Sequence, residues 1–406
     1  MKKTVLSLEQ ALALPYATQR FVHLGWRVIR VESPPDQDSG RGGDPNRYIG
    51  EDTGSHDLHA YFIAPNIGKE AITLNLRKQD GQDLLKKILR ELSVDVFLCN
   101  TLPKRYKQLG IDYGTLSAVK PDLIWCGISA LGPEYPEAAG YDPTLQALLG
   151  YMYLTGEPDR DPMLCGLPII DLKAGDEAFA QVLLALMEQQ STPREHGKKS
   201  GGKEIHISMA QCAASWLITA LPQLEFVEDK SKLFKRSGNE HRSFIPCNCY
   251  PTKDGFVYLA IGSDSQWEKL VRLNHFEGLD LPARKTNQGR NEDKEAIYAG
   301  IRAGLRHYTT EEFIKICLAQ NLSVAPVNSI QDTARLDYIK NSMLRTEIPA
   351  GRIRSLFPVP VMTDHLLQKK MTLIRAPHLG EHNQSIYKEV GLRDEDISKL
   401  HDDGVI

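Results

Sequence analysis

Residues 5–32, VLSLEQALALPYATQRFVHLGWRVIRVE, carry the clearest signal for a fold in this chain. Residues 5–8 are a short apolar strand candidate, and residues 9–24 follow with helical periodicity. Gly25 marks the end of that helix, and residues 27–32 alternate between apolar and polar side chains as a strand does. A strand, a helix and a second strand in this order predict the beginning of a parallel sheet.

The alternation of strands and helices continues beyond this stretch. Further strands are predicted at 71–76, 94–99 and 123–128, and helices at 80–92 and 113–119. The pattern predicts an α/β fold whose large domain has a Rossmann-like parallel sheet flanked by helices. Ligands bind at the carboxyl edge of such sheets, where Asn100 and Ser129 follow predicted strands. The first strand is followed by neither a dinucleotide fingerprint nor a P-loop.

The character of the sequence changes after about residue 226. A charged, loop-like stretch leads to a predicted hairpin at 250–260 and to three predicted helices, which together indicate a smaller α+β domain. We therefore predict a large, ligand-binding domain with a Rossmann-like sheet from 1–225 and 325–406 and a small α+β domain from 226–324. Residues 191–203, STPREHGKKSGGK, read as a basic, glycine-rich loop.

Composition excludes several classes of function. The 406 residues carry 49 basic and 52 acidic side chains, a formal net charge of −3, which provides no field for nucleic acid or an anionic membrane surface. No window approaches the 18 apolar residues of a membrane span, and the N-terminus lacks the pattern of a signal peptide. Seven cysteines are scattered through apolar segments, and Cys247 and Cys249 lack a second pair of zinc ligands. The predicted location is the cytoplasm, with no metal site.

Asp171, in the stretch GLPIIDLKAG (166–175), has two interpretations. An apolar run at 167–170 ends there, and a long helical pattern begins directly after it, so that Asp171 occupies a predicted helix start. Aspartate is a common N-cap. The same amide groups and the helix dipole would also keep a carboxylate ionised, as a carboxylate nucleophile requires. On these ten residues alone, the structural cap is favoured over catalysis.

Many short motifs occur along the chain in the order and spacing that a known protein family shows. They are Pro15-Tyr16-Ala17-Thr18, LGWRVIRVESP (24–34), Asn66 with Gly68 and Lys69, Asn100, Gly140-Tyr141-Asp142, Thr155-Gly156-Glu157, Asp171, Gly238-Asn239, Lys253-Asp254-Gly255, Gln266-Trp267 and RAPHLGEHNQSIYKEVGL (375–392). Over essentially its whole length the chain thereby resembles the family III CoA-transferases, the group that includes formyl-CoA and carnitine-CoA transferases.

The resemblance implies a chemistry and a set of site residues. Asp171 matches the family's catalytic aspartate. In the reaction this aspartate would form first a mixed aspartyl anhydride and then an aspartyl-CoA thioester. Coenzyme A would then be a co-substrate, with no tightly bound cofactor. The positions that match CoA contacts are Leu74, Arg77, Asn100, Lys104, Arg105 and Gln108. The positions that match the substrate pocket are Leu12, Tyr141 and Asp142.

Several of these positions depart from the family pattern. Gln108 stands where an arginine is common, although Lys104, Arg105 and Lys107 are neighbours, and Ser33 stands where a basic residue is frequent, with Arg41 and Arg47 following. Leu12 replaces a glutamine and Ala139 a lysine. The loss of these polar groups argues against oxalate and formate as substrates. It favours a larger acid, such as an aromatic or branched dicarboxylate of the arylsuccinate type, with succinyl-CoA as the CoA donor.

Two other functions stay open at this point. An α-methylacyl-CoA racemase would need a histidine directly before Asp142, where this chain has Tyr141, a poor general base at neutral pH. A non-catalytic or partner-dependent subunit of a heteromeric CoA-transferase is the second alternative. The resemblance also implies an interlaced dimer, either a homodimer or a heterodimer with a related subunit.

Overall fold

The structure is a computed structural model that describes residues 2–36, 38–191, 201–229, 234–348 and 351–406. Most of the basic loop predicted at 191–203 lies outside the described residues. The chain divides into two compact units. Unit 1 consists of Met1–Leu149, Gly166–Phe226 and Asp337–Ile406, and unit 2 of Gly150–Cys165 and Val227–Leu336. No helix among the described residues is long and apolar enough to cross a membrane.

The β-strands, in chain order, are β1 (Thr4–Leu8), β2 (Arg27–Glu32), β3 (Glu70–Thr73), β4 (Val96–Cys99), β5 (Ile124–Ser129), β6 (Lys203–Ser208), β7 (Cys247–Pro251), β8 (Phe256–Ala260), β9 (Ser323–Pro326), β10 (Met343–Glu347), β11 (Ile353–Pro358) and β12 (Thr372–Leu373).

The α-helices, in chain order, are α1 (Ala13–His23), α2 (Ala60–Ile63), α3 (Gln79–Glu91), α4 (Tyr113–Val119), α5 (Asp142–Leu148), α6 (Tyr151–Leu154), α7 (Ile169–Ser191), α8 (Met209–Ser215), α9 (Asp264–Leu270), α10 (Asn287–Glu292), α11 (Lys294–Leu305), α12 (Thr310–Ala319), α13 (Ile330–Thr333), α14 (Asp337–Lys340), α15 (Asp364–Gln368), α16 (Asn383–Glu389) and α17 (Asp394–Asp402).

Unit 1 is built on a six-stranded sheet with the order β3-β2-β1-β4-β5-β6. Every neighbouring pair in it is parallel, so that the carboxyl ends of all six strands lie at one edge. The predicted α/β fold with a Rossmann-like sheet is confirmed. The order reverses between β1 and β4, and such a switch point leaves a crevice outside the strand ends.

Helices cover the sheet of unit 1, and the strands β1 to β5 are largely buried on both faces. The buried residues of α3, α4, α16 and α17 share one hydrophobic cluster with side chains of β1, β2, β4 and β5. Helices α1 and α7 pack against each other, and α7 also contacts β5 and β6. A Cβ atom at Gly175 would lie 2.6 Å from the carbonyl oxygen of Ala13, so only glycine allows α7 to approach the start of α1 this closely.

Unit 2 has a core of its own. Its three-stranded sheet has the order β7-β8-β9 with antiparallel pairing, and residues of α9, α11 and α12 pack on it around Trp267 and Phe276. The predicted hairpin is present as β7 and β8. A further three-stranded sheet, β11-β10-β12, belongs to unit 1.

Candidate active site

At the switch point, one side chain links the segment that follows β1 to the segment that follows β4. Asn100, directly after β4, donates from Nδ2 to the carbonyl oxygen of Gln10 at 2.8 Å. Its Oδ1 accepts from the backbone amide of Gln10 at 3.1 Å. The chain leaving β1 is thereby tied to the chain leaving β4, and a cavity opens on each side of this connection.

The larger cavity, of about 1010 Å³, lies along the carboxyl edge of the sheet. It brings together four of the predicted CoA-binding residues: Leu74, Arg77, Asn100 and Arg105. Ser33, Arg41 and Lys78 line it as well. Among the described residues, no carboxylate forms an ion pair with Arg41, Arg77 or Arg105, so that three guanidinium groups are available to an anionic ligand.

Two predicted CoA-binding residues and Arg47 lie elsewhere. Lys104 forms an ion pair with Glu137. Gln108 is not among the residues that line the larger cavity, and its carbonyl oxygen accepts a hydrogen bond from Gln82. Arg47 is fully buried and pairs with Glu32 at 2.5 Å. Of the two arginines considered as replacements at Ser33, only Arg41 faces the cavity.

The smaller cavity, of about 210 Å³, contains Asp171. It shares Gln10, Asn100, Thr101 and Leu102 with the larger one, so the two cavities are neighbours across a common wall. Its other walls are formed mainly by small or apolar residues, namely Ala11, Ala13, Ile128, Ala130, Ala138, Ala139, Gly140 and Met209. Of the predicted pocket residues, Tyr141 lines this cavity. Leu12 is the residue that precedes α1, and it does not line the cavity, although both of its neighbours do.

Asp171 lies inside the first turn of α7, which begins at Ile169. The interpretation of Asp171 as the structural N-cap of this helix is therefore wrong. The cap comes instead from Asp142, the first residue of α5, whose Oδ2 accepts from the amides of Ile170 at 2.7 Å and Asp171 at 3.1 Å. Gln146 donates to the other oxygen of Asp142 at 2.5 Å. A carboxylate 29 positions away in the sequence therefore serves the helix start.

The electrostatics of Asp171 differ from the prediction for the same reason. Burial, and secondly the nearby charge of Asp142, raise the pKa of Asp171 to about 7 from its ordinary value of 3.8. The helix start does not keep Asp171 ionised, since the amides there are already bonded to Asp142. Among the described residues, no donor forms a hydrogen bond with the carboxylate of Asp171. Its ionised form is consequently poorly solvated, which makes it more basic than an exposed aspartate.

Tyr61 is a neighbour of this site that the sequence did not reveal. Burial raises the pKa of its phenol, and the charges of Asp171 and Asp142 raise it further. The side chain is still 47% exposed. It belongs to the short helix α2, which follows a long connection after β2, and no periodicity or motif there indicates proximity to Asp171.

Replacing Asp142 with Asn should move the ionisation of Asp171 to lower pH. The charge of Asp142 is the second cause of the raised pKa, after burial, and asparagine keeps an oxygen that can accept from the two amides. We expect the rise of activity with pH, centred near 7 in the parent protein, to shift toward acid in Asp142→Asn. The pH profile of kcat/KM tests this, and an unchanged profile would show that the Asp142 charge does not act on Asp171.

No cluster of three or more His, Cys, Asp or Glu side chains suited to a metal ion occurs in the described part of the chain. The Cys247 thiol donates to the carbonyl oxygen of Ile261, and Nδ1 of His241 accepts from the amides of Ser243 and Phe244. These side chains have local partners within unit 2.

Comparisons with known proteins identify relatives of the chain over nearly its whole length. The family model of CoA-transferase family III matches residues 2–383. The succinate–glutarate CoA-transferase of Agrobacterium fabrum is 28% identical over 95% of this chain and 94% of its own. The succinyl-CoA:glutarate CoA-transferase of Mus musculus is 28% identical over 99% of this chain and 89% of its own. A CAIB/BAIF family protein from Brucella suis superposes with a TM-score of 0.80 at 27% identity, covering 96% of this chain and 98% of that one.

Proposed function

The chain belongs to CoA-transferase family III, and on that premise we propose that it moves CoA from succinyl-CoA to a second dicarboxylic acid by covalent catalysis on Asp171. It is a CoA-transferase whose co-substrate is an acyl-CoA thioester. The observation that carries the proposal is the position of Asp171 in a small cavity that shares a wall with a large, arginine-lined cavity.

The two cavities match the two ends of an acyl-CoA. Arg41, Arg77 and Arg105 offer charge-assisted hydrogen bonds to the phosphates of the nucleotide. The shared wall at Gln10 and Asn100 is where the pantetheine arm would cross to the smaller cavity. There the thioester would meet the carboxylate of Asp171, whose poor solvation favours attack by its ionised form.

Four transfers complete the reaction. The Asp171 carboxylate attacks the thioester carbonyl and expels CoA thiolate, leaving a mixed anhydride. The thiolate attacks the aspartyl carbonyl of that anhydride, which gives an aspartyl-CoA thioester and releases the donor acid. The acceptor carboxylate then attacks this thioester and expels the thiolate again. The thiolate finally attacks the acyl carbonyl of the second anhydride, forming the new acyl-CoA and freeing Asp171.

The acceptor is proposed to be a dicarboxylate larger than oxalate. Both of the CoA-transferases described above are named for glutarate. The alanine-rich walls at Ala130, Ala138 and Ala139 leave room for a carbon chain and provide no cation to hold a second carboxylate close to the reacting one. The branched or aromatic group of an arylsuccinate would pack against the same apolar walls.

A panel of acids given together with succinyl-CoA tests this assignment. We expect glutarate or an arylsuccinate to yield its CoA thioester at a rate at least about tenfold above formate and oxalate, since about 1.4 kcal/mol of selective contact suffices. Mass spectrometry of the CoA products measures the preference. Dominant formyl-CoA or oxalyl-CoA would overturn it. Deuterium entering the α-position of an acyl-CoA without acid exchange would instead indicate a racemase.

We further propose that the chain acts as a dimer. Unit 1 exposes large apolar side chains that a monomer would leave in water: Trp216, Ile218, Leu221 and Phe226. Light scattering of the purified chain should give twice the mass of one chain together with transfer activity. An inactive chain that gains activity only beside a related subunit would identify it as one half of a heteromer.

A further inference from the structure

The wall between the two cavities is a short piece of backbone. Gln10 lines both cavities, and Ala11 lines the smaller one, which also contains Asp171. These residues lie between the end of β1 at Leu8 and the beginning of α1 at Ala13. Their position decides how far an acyl group bound across the wall lies from the nucleophile.

Side chains from two distant segments hold both peptide groups of this wall. Asn100 engages the amide and the carbonyl of Gln10. The amide of Ala11 donates to Oδ1 of Asp44 at 3.1 Å, and its carbonyl accepts from Nδ2 of Asn46 at 2.8 Å. Asp44 itself is fixed by Arg30 at 3.1 Å, and both of these side chains are buried. Every backbone polar group of the two residues thus has a side-chain partner.

Ala11 has a backbone conformation that explains why such a clamp is needed. Its φ angle is +59°, in the left-handed region. Alanine rarely adopts that region, because its Cβ approaches the backbone and it has no polar side chain that could bond locally in compensation. A strained residue of this kind persists where its surroundings hold it in place, and such residues cluster at functional sites.

We propose that Asn46 is a positioning residue for CoA transfer. Through the Ala11 carbonyl it holds the wall in the strained conformation, so that the thioester carbonyl is presented to Asp171 and water is kept from the intermediates. Asn46 lines neither cavity, so that it acts on the wall only through the Ala11 carbonyl. The inference rests on the proposed function, and its test includes a measurement that needs no transfer activity.

Asn46→Ala should lower kcat by about 10- to 100-fold, because small misplacements of reacting groups cost this much. The KM for succinyl-CoA should stay within about twofold, since the larger cavity is unchanged. Ala11→Gly combined with Asn46→Ala should recover most of kcat, because glycine adopts a positive φ without strain. Asn383→Ala is the matched control: Asn383 bonds the backbone amide and the hydroxyl of Thr73 away from the wall. A parent-like kcat in Asn46→Ala, or an equal loss in Asn383→Ala, overturns the inference.

Chemical labelling gives the readout that is independent of activity. A water-soluble carbodiimide with an amine nucleophile modifies protonated carboxyl groups, and mass spectrometry can follow the modification at Asp171 near pH 7. Loosening the wall should raise that rate several-fold in Asn46→Ala and leave it unchanged in Asn383→Ala. Equal rates in the parent and Asn46→Ala reject the clamp, whereas a parent protein that transfers no CoA rejects the proposed function alone.

Discussion

Asp171→Asn should reduce CoA transfer by about 10⁴-fold or more, the loss expected when a covalent nucleophile is removed. An amide neither attacks a thioester nor forms the anhydride. Incubation of the parent protein with succinyl-CoA and hydroxylamine should in addition leave a hydroxamate on Asp171, which peptide mass spectrometry detects. Transfer that survives in Asp171→Asn would refute covalent catalysis at this position.

Asp176→Asn provides the matched control for this variant. Asp176 lies on the same helix, five positions further, and forms an ion pair with Arg20 at a partly exposed site. Its replacement should keep activity within about twofold, because exposed ion pairs contribute little. An equal loss in both variants would point to damage of α7 and not to loss of the nucleophile.

Asp171→Asn should also make the protein more stable than the parent at alkaline pH. In the folded state the pKa of Asp171 is raised to about 7 from 3.8, so between these values the folded state retains a proton that the unfolded state releases. Stability therefore falls as pH rises from about 4 to 7, and the penalty is complete above 7. Asparagine removes a cost of no more than about 4 kcal/mol. Tm of Asp171→Asn should exceed that of the parent at pH 8 and approach it at pH 4.

The sequence predicted features that depend on neighbouring residues. It did not predict features that depend on contacts between residues far apart in the chain. Periodicity is local, and it located β1, β2 and α4 because their apolar residues repeat within a few positions. The resemblance directed attention to Asp171. The cap from Asp142 and the clamp on Ala11 join residues 29 and 35 positions apart, and nothing in a local pattern distinguishes such partners from solvated side chains.

Buried charge is the other feature that the sequence concealed. Arg30 is fully buried on β2, and its guanidinium lies 3.1 Å from both Glu32 and Asp44 and 3.6 Å from Glu9. Lys69 lies 2.7 Å from Glu9, also out of contact with water. In the sequence, RVIRVE is an ordinary alternating strand, and only the fold reveals that its two arginines have different environments.

Arg30→Met should destabilise the protein by about 3–5 kcal/mol, because the variant leaves buried carboxylates without their counter-charge. Arg27→Met, on the same strand, is the control. Arg27 is 30% exposed and pairs with Glu70 and Glu389, which are partly exposed, so its loss should cost less than about 1 kcal/mol. Denaturant unfolding, followed by tryptophan fluorescence, compares the two variants.

The pH dependence of this loss separates charge from packing. Burial raises the pKa of Asp44, while Arg30 acts in the opposite direction. Without Arg30, the buried acids can avoid an uncompensated charge only by binding protons. The penalty of Arg30→Met should therefore be smaller at pH 5 than at pH 8. A cost that is the same at both values would mean that Arg30 stabilises the fold through its packing on Phe62, 4.6 Å from the ring centre, and not through its charge.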